Sequence, residues 1–345
     1  MLNSEFALLE RQAGVVFEEP AFKGWINPQY ANDFALAMDA QPALVTVGNA
    51  GIPAYLSMFM DPKVIEVLLA PNRAAEIVGS EVRKGDWVTR TAMFSMVEST
   101  GETSAYGDWN NNGSVNANMQ FPQRQSFHYQ TITQWGQKQL AEAGLAKIDW
   151  ASRLNIASAI ILNKFQNNSY FYGIANLENY GLLNDPSLPA SIQPGTKVAG
   201  GKTWAVATPN EVFSDIQSLF VQLASQSQGL VDRNSKIVLA MSPASQMYMV
   251  NTNLYNVSVF DLLKKAFPNI RFETAVQYAP VGGTTLVQMI VEEVDGQETA
   301  YCAFTEKMRA HPVIQELSAF KQKKSQGTWG TIIFRPFLIA SMVGV

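Results

Sequence analysis

The sequence predicts an α+β protein, and three observations support this fold class. The chain has 345 residues, of which 47% are hydrophobic, so it can bury a large core. A long helical pattern over 148–173 follows a segment that alternates like β-strands. Beyond residue 201, strands and helices alternate in a separate α/β layer of roughly 110 residues. The chain is therefore expected to combine one sheet-rich domain with one inserted α/β domain.

The first part of the chain, 1–60, is rich in proline and glycine and also in aromatic residues, among them Phe17 and Trp25. Proline and glycine at this density prevent long regular elements, whereas exposed aromatic side chains are costly in water. We therefore expect an extended arm that lies on another surface. A mobile tail is the alternative, although tails usually lack aromatic residues. Two short helices within 61–85 are expected to join the arm to the next segment.

Residues 86–133 are expected to form a long two-stranded hairpin. Threonine, valine and aromatic residues dominate Trp87–Val97 and Met119–Thr133, as they do in strands. The intervening Ser99–Asn118 is polar and rich in glycine. An isolated hairpin is only marginally stable in water, so we expect another copy of the chain to support it. The alternative is a disordered surface loop between two unrelated strands.

The helix over 148–173 is predicted from apolar residues spaced by three or four. Leu154, Ala157, Ile161 and Phe165 fall on one face, which is expected to pack on the sheet of the same domain. Asp149 can cap the first turn, and Gly173 can adopt the left-handed backbone that ends the helix. Taken alone, this segment is more typical of an ordinary core helix.

A tight apolar turn is expected after this helix, at Gly181, Leu182, Leu183 and Asn184. Its expected role is geometric, because it sets where the chain leaves for the inserted domain. That domain is predicted over 201–310. Its expected strands are Trp204–Ala207, Lys236–Met241, Ile270–Gln277, Leu286–Glu293 and Tyr301–Phe304. Its helices are expected to be capped at Thr208, Ser242 and Ser258. Two further strands, Pro312–Leu317 and Gly330–Met342, are expected to return to the first domain.

Residues that carry chemistry are scarce. The chain has only His128 and His311, and its one cysteine, Cys302, lies in an apolar strand where a thiol stays protonated. No spacing of His, Cys, Asp or Glu matches a metal site, and no nucleophile elbow or phosphate loop is present. We predict no catalytic, cofactor-binding or metal site. A cluster of Lys321, Lys323 and Lys324 is expected in a solvated turn, with phosphate contact as the alternative.

Charge and hydropathy restrict the partners. The net charge of -4 argues against a protein that coats nucleic acid, so contact with DNA is expected to be loose and non-specific. No window resembles a membrane span or a signal peptide. We therefore expect no membrane partner.

Three groups of residues, in their order along the chain, carry a resemblance to a known family. They are Glu98 with Thr103–Asp108, including Tyr106, Gly107 and Asp108; Gly173 with Gly181–Asn184; and Phe334 with Arg335 and Pro336. With the arm, hairpin, long helix and inserted domain, the chain resembles the major capsid protein of tailed bacteriophages, which has the Hong Kong 97-type capsid fold. The resemblance implies an N-terminal arm over 1–60, an extended loop over 86–133, a peripheral domain over 134–200 and 311–345 with the long helix as its spine, and an axial domain over 201–310.

The resemblance also implies a function. Subunits of this family assemble as pentamers and hexamers into an icosahedral shell around double-stranded DNA, in the cytoplasm of the host bacterium. The implied partners are further copies of the chain, with portal, scaffold or decoration proteins. Candidate assembly and structural residues are Phe17, Trp25, Tyr106, Gly107, Asp108, Leu154, Ile161, Gly181, Leu182, Leu183, Asn184, Arg335 and Pro336. Two alternatives stay open: an encapsulin shell that encloses enzymes, and a metabolic α/β enzyme.

Two departures from the family pattern lead to expectations. The type member joins its subunits by an isopeptide bond from a lysine in the extended loop, but this chain has no lysine between Lys84 and Lys138. We expect no such crosslink. The arm begins close to Met1, so we expect assembly to use a separate scaffold protein.

Overall fold

A computed structural model describes residues 72–145, 149–279 and 283–345 of the chain. All of them belong to one compact unit, Pro62–Val345. The expected arm with Phe17 and Trp25, and the first expected short helix, lie outside the described residues.

The described residues contain six α-helices and fourteen β-strands, numbered here in chain order. The helices are α1 (Ala74–Val78), α2 (Gln137–Leu145), α3 (Trp150–Tyr172), α4 (Pro209–Gln226), α5 (Pro243–Tyr248) and α6 (Val259–Ala266). The strands are β1 (Glu81–Arg83), β2 (Thr91–Met93), β3 (Met96–Glu102), β4 (Ser114–Gln120), β5 (Gln123–Gln125), β6 (Phe127–Gly136), β7 (Ile237–Met241), β8 (Ile270–Thr274), β9 (Leu286–Val291), β10 (Glu293–Val294), β11 (Gln297–Glu298), β12 (Ala300–Glu316), β13 (Ala319–Ile333) and β14 (Ile339–Val343).

The first large sheet has the strand order β1-β12-β13-β6. Strand β1 runs parallel to β12, and the other pairs are antiparallel. The long pair β12 and β13 carries several register shifts between Ala303 and Val313. Such bulges bend a strand and increase its twist. Helix α3 lies on one face of β13.

The second large sheet has the strand order β14-β9-β7-β8. Strands β7 and β8 are parallel, because a crossover through α5 and α6 joins them. Every residue of β7 is buried, as expected for a central strand covered on both faces. Helix α4 packs on one face, with Ile216, Leu219 and Leu223 fully buried.

A shared apolar cluster joins the two sheets. It includes Tyr170 and Phe171 from the end of α3, Cys302 from β12 and Ile290 from β9. The two layers are therefore parts of one continuous core.

Three helix caps of the inserted domain are confirmed. Thr208 and Glu211 form a reciprocal capping box at the start of α4. The hydroxyls of Ser242 and Ser258 accept hydrogen bonds from the amides three residues later. These short polar residues satisfy amides that have no partner within the helix.

Two expected strands of the inserted domain differ from the structure. The segment Trp204–Ala207 is not a strand but a 3-10 turn, because the buried Trp204 indole donates to Asp215 Oδ2 of α4 at 2.9 Å. The segment Tyr301–Phe304 is part of the much longer β12, which pairs with β13 in the first sheet. The bulges in β12 interrupt the two-residue alternation by which a long strand is recognised.

The end of the chain also differs from expectation. The segment Gly330–Met342 is divided into the end of β13, a 3-10 turn that begins at Pro336, and β14. The prediction that it returns to the first domain is wrong for β14, which pairs with β9 in the second sheet. Ile339, Ala340 and Met342 are buried there, and α4 packs against β14.

Candidate assembly surfaces and the exit of the long helix

The long helix α3 begins and ends where its sequence predicts. The Asp149 carboxylate accepts a hydrogen bond from Ser152 N at 3.1 Å, which caps the first turn. Gly173 follows the last turn with a φ of 61°, a backbone conformation that favours glycine. The helix is therefore 23 residues long and has defined limits at both ends.

The turn after the helix passes very close to its last residues. The amides of Leu182 and Leu183 donate to the carbonyls of Tyr170 and Phe171 at 2.8 and 2.9 Å. A Cβ atom on Gly181 would lie 2.3 Å from the carbonyl carbon of Phe171. Leu182 is fully buried in the cluster that joins the two sheets. The turn thus fastens the outgoing chain to the helix end.

Asn184 completes this turn. Its side-chain oxygen accepts from Gly181 N at 2.8 Å, and its amide nitrogen donates to Tyr172 O. Strand β13 joins the same junction, because Thr331 N donates to Tyr180 O and a Cβ on Gly330 would lie 2.2 Å from that oxygen. The helix end, the turn and β13 therefore form one tightly packed junction.

The face of α3 that is buried against the sheet is only partly the one that the apolar spacing predicts. Leu154 is half-buried, whereas Ile161 is 59% exposed and Phe165 remains partly exposed against Tyr129. The buried positions include Ser158, Leu162, Gln166 and Ser169. The prediction that the Leu154–Phe165 face packs on the sheet is therefore wrong for Ala157 and Ile161, whereas Phe165 does contact Tyr129 of β6.

Polar side chains of β13 explain why the neighbouring polar face is buried. Ser169 Oγ and Thr328 Oγ1 are 2.9 Å apart, and Gln326 donates to Gln166. Further along β13, the Thr331 hydroxyl donates to Tyr170 O at 2.7 Å. Buried donors require a partner, and α3 provides one for the Gln326 amide and for the Thr331 hydroxyl.

Lys324 belongs to the same helix-sheet contact. Its ammonium donates to Asn155 Oδ1 at 2.5 Å and to Ser158 Oγ at 2.6 Å, while the residue is only 2% exposed. Removal from water lowers the pKa of this amine. The expectation of a solvated turn is therefore wrong for Lys324. Lys321, in contrast, pairs with Glu316 at the surface.

The sequence contains a signal for this contact that apolar spacing does not reveal. Ser158, Gln166 and Ser169 recur at helical spacing and match the alternate polar residues Lys324, Gln326 and Thr328 of β13. Sequence reasoning missed these residues because polar residues on a helix are ordinarily assigned to the solvent side.

Strands β3 and β4 form the extended hairpin, which is shorter than predicted. They pair from Met96 with Gln120 to Glu102 with Ser114. The expected second strand, Met119–Thr133, is divided among β4, β5 and β6, and β6 belongs to the first sheet. Every residue of β4 is exposed. Neither face of the hairpin is covered by the described residues of its own chain.

The tip of the hairpin is ordered by its own hydrogen bonds. The Tyr106 hydroxyl donates to Asp108 Oδ1 at 2.9 Å, and Asn110 N donates to Gly107 O at 2.9 Å. Trp109 beside them is 99% exposed. The structure brings Tyr106, Gly107 and Asp108 together in one turn that presents aromatic rings to solvent.

Both histidines lie against Trp87. The ring centroids of Trp87 and His128 are 4.5 Å apart, and those of Trp87 and His311 are 6.2 Å apart. His128 Nε2 is 3.3 Å from Thr305 Oγ1, and His311 Nε2 is 2.8 Å from Ser325 Oγ. Burial lowers the pKa of His128, while Glu306 raises it to a smaller extent.

Arg335 and Pro336 lie between β13 and β14, and the Arg335 side chain contacts the short β10–β11 pair. The Arg335 guanidinium donates to Val294 O at 2.9 Å and to Gln297 Oε1 at 2.6 Å. Pro336 begins the 3-10 turn that leads into β14. A cavity of about 640 Å³ lies beside Arg335, lined also by Tyr301, Phe334 and residues at the base of β3.

The candidate residues for chemistry are in structural settings. Cys302 is fully buried, and this burial raises the pKa of its thiol to about 12. Within residues 72–145, 149–279 and 283–345, no three His, Cys, Asp or Glu side chains are grouped so as to hold a metal ion. No helix in these ranges is long and apolar enough to cross a membrane.

Comparison with known proteins identifies one family whose model matches the chain and several solved structures with a similar fold. The model of a family described as Pa193 gp26 major capsid protein matches residues 43–344. A comparison with curated protein sequences gave no match.

Three solved structures illustrate the structural similarity. The capsid of Myoviridae phage XM1 has a TM-score of 0.72 at 15% identity, covering 86% of this chain and 100% of that chain. The capsid of the native GTA particle has a TM-score of 0.60 at 11% identity, covering 87% and 99%. A structure from Gordonia phage Cozz has a TM-score of 0.55 at 8% identity, covering 88% and 96%. At these identities the similarity establishes the fold, which is the Hong Kong 97-type capsid fold.

Proposed function

We infer that this chain, which belongs to the Pa193 gp26 major capsid protein family, assembles as pentamers and hexamers into an icosahedral shell that encloses double-stranded DNA. Family membership itself assigns it to the capsid shell of a bacteriophage. The stoichiometry of the capsomers and the enclosed DNA are our proposal. We further propose that the chain is structural and catalyses no reaction.

The observation that carries the proposal is the uncovered extended hairpin. Val97, Val115 and Met119 are exposed on its strands, and Trp109 is exposed at its tip. Two strands alone are marginally stable in water, and large exposed apolar side chains mark a surface that binds another protein. Because the hairpin extends away from its own chain, a neighbouring subunit is the partner that supplies a surface for it.

The division into domains follows from the same proposal. We propose an arm over 1–60, joining helices over 61–85, an extended loop over 86–133, a peripheral domain over 134–200 and 311–345, and an axial domain over 201–310. The sheets to which β12 and β14 belong modify these boundaries. Residues 300–310 of β12 pair within the first sheet, and residues 339–343 of β14 pair within the second.

The charge of the chain restricts its contact with DNA. A net charge of -4 does not supply the excess of lysine and arginine that tight binding to phosphates requires. We therefore propose loose, non-specific contact with packaged DNA. Portal, scaffold and decoration proteins are the further proposed partners, and assembly is proposed to occur in the cytoplasm of the host bacterium.

Electron microscopy of the overexpressed full chain tests the proposal of a shell. We expect closed particles or curved arrays built from rings of five and six subunits. A monodisperse small oligomer without rings or arrays would contradict the shell and favour an enzyme.

The contents of natural particles test the second part of the proposal. We expect double-stranded DNA that is protected from added nuclease until the shell is disrupted. A folded cargo enzyme in place of DNA would instead identify a shell of the encapsulin type.

A further inference from the structure

The tip of the extended hairpin contains Asn112 followed by Gly113, the one asparagine–glycine pair in the sequence. Both residues are exposed in the subunit. An asparagine side chain can react with the backbone amide of the residue that follows it. Glycine hinders this approach least, because it has no Cβ. The pair is therefore a candidate site for a covalent change of the chain itself.

Hydrogen bonds hold the backbone of Asn112 and leave its reacting groups free. Asn112 N donates to Asn110 Oδ1 at 3.0 Å, and Asn112 O accepts from Ser104 Oγ at 2.7 Å. Among the described residues, none holds the Asn112 side-chain amide or the Gly113 backbone amide by a hydrogen bond. The side-chain carbon and the next backbone nitrogen are thus free to approach each other.

A second exposed turn in the same chain has the opposite property. Asn234 N donates to Asp232 Oδ1 at 3.0 Å, which repeats the bond between Asn112 and Asn110. The residue after Asn234, however, is Ser235, and its backbone amide donates to Asp232 O at 3.2 Å. A nitrogen that is held in a hydrogen bond and followed by a Cβ is a poorer nucleophile. Asn234 is therefore an internal control for Asn112.

The reaction at Asn112 consumes water and releases ammonia. The Gly113 nitrogen gives up its proton to hydroxide and attacks Cγ of Asn112, so that a new carbon–nitrogen bond forms. The bond from Cγ to Nδ2 breaks, and the leaving group takes a proton and departs as ammonia. Water then opens the resulting succinimide ring at either of its two carbonyls. The products are aspartate and isoaspartate, and no oxidant or reductant takes part.

We propose that Asn112 is a site of spontaneous deamidation, which places a new negative charge at the tip of the extended hairpin. The hairpin already carries Glu102 and Asp108, so the change adds to a charge of the same sign. The isoaspartate product also lengthens the main chain by one carbon directly before β4. The modification therefore alters both the charge and the backbone of this exposed tip.

Incubation of the purified, unassembled full chain, followed by peptide mapping with mass spectrometry, tests the proposal. We expect Asn112 to deamidate at least about tenfold faster than Asn234 in the folded chain, a ratio that corresponds to a difference of about 1.4 kcal/mol between the barriers. The rate at Asn112 should rise with pH, because hydroxide removes the proton from the Gly113 amide. Aspartate and isoaspartate should both appear in the peptide that contains residue 112.

The same measurement in denaturant separates the effect of the structure from that of the sequence. Unfolding releases the Ser235 amide, so the rate at Asn234 should rise. The rate at Asn112 should stay close to its folded value, because its reacting groups are already free.

Asn112→Gln provides the matched variant. Glutamine keeps the amide but would have to close a larger ring, which forms more slowly. The position is exposed, so the variant should fold and melt like the wild type, and its peptide should show no deamidation over the same incubation.

Three results would overturn the proposal. They are a rate at Asn112 no higher than that at Asn234 in the folded chain, a rate at Asn112 that rises tenfold on unfolding, and equal deamidation of Asn112→Gln. The measurement is made on the single subunit, so none of these results bears on the proposed shell.

Discussion

At the scale of single residues, the absence of a side chain at Gly181 allows the outgoing chain to pass close to the end of the long helix. Gly181 passes so near Phe171 that a side chain would overlap backbone atoms, which cannot rotate away as a flexible side chain can. Gly144 in α2 has open space around its Cα and lies inside an exposed helix. The same residue type is thus required at one position and dispensable at the other.

Gly181→Ala and Gly144→Ala should have opposite effects on the free energy of unfolding. We expect Gly181→Ala to lower it by about 3 kcal/mol, because the added methyl group overlaps the backbone of Phe171. Gly144→Ala should raise it by about 0.5 to 1 kcal/mol, because alanine favours helix more strongly than glycine. Denaturant titration of the two variants and the wild type measures both changes. Equal effects of the two substitutions would contradict this account of the turn.

His128 should make stability depend on pH below neutrality. Burial lowers its folded pKa below the ordinary value of 6.5, so the unfolded chain binds more protons between the two values. The stability associated with the neutral imidazole is therefore complete above the unfolded pKa and is lost as the pH falls through the folded pKa. His128→Gln should remove this part of the pH dependence. Unfolding free energies of variant and wild type at several pH values between 5 and 8 test it, and identical profiles would refute the prediction.

At the scale of elements, the long helix and β13 show that a buried contact between a helix and a sheet need not be apolar. The helix turns its Ser158, Gln166 and Ser169 face to the sheet because β13 presents polar residues there. The apolar residues Ile156, Ile160 and Ile161 remain exposed in the single subunit.

Lys324→Met tests what the buried ammonium contributes to this contact. Only uncharged acceptors surround the ammonium in the hydrogen bonds that it makes, and a buried charge without a counter-charge is costly. We expect the free energy of unfolding to be unchanged or raised by about 1 kcal/mol. Lys321→Met, which removes a surface ion pair with Glu316, should change it by less than about 0.5 kcal/mol. A loss of several kcal/mol in Lys324→Met alone would show that the charge stabilises the contact.

The extended hairpin should be needed for assembly and not for folding. Deletion of Gly101–Gly113 removes the tip and parts of the paired strands, which are exposed in the subunit. We expect the circular dichroism spectrum and melting temperature of the subunit to stay close to those of the wild type. Particle formation, observed by electron microscopy, should be lost. Normal particles from the deletion variant would disprove the proposed role of the hairpin.

At the scale of the whole molecule, stability must come from packing and from contacts between subunits. The chain has a single cysteine, so it can form no disulfide within itself. A shell built from many interfaces, each of about 1,000 Å² or more, does not require covalent links.

We accordingly predict that mature particles contain no covalent bonds between subunits. The extended loop has no lysine from which an isopeptide bond could form, since none occurs between Lys84 and Lys138. Denaturing gels of mature particles should show one band at the mass of the single chain, 38.0 kDa. A ladder of multimers that resists boiling in detergent would contradict this prediction.

Local signals in the sequence correctly predicted several elements. Asp149 and Gly173 mark the limits of the long helix, and Thr208, Ser242 and Ser258 mark the starts of three helices. These predictions succeeded because a cap satisfies backbone groups only a few residues away. The domain boundaries and the roles of the assembly residues stay predictions.

The sequence by itself determined the helix limits and the scarcity of chemical groups, because each depends on residue types and on local spacing, while the order of its parts carried the resemblance to the fold family. Only the tertiary structure decided which face of the long helix is buried and that β14 joins the second sheet. Both depend on partners distant in the sequence: Lys324, Gln326 and Thr328 on β13 for the helix, and β9 for the last strand. A helix can bury either face when the opposing surface supplies matching groups, and local spacing carries no information about that surface.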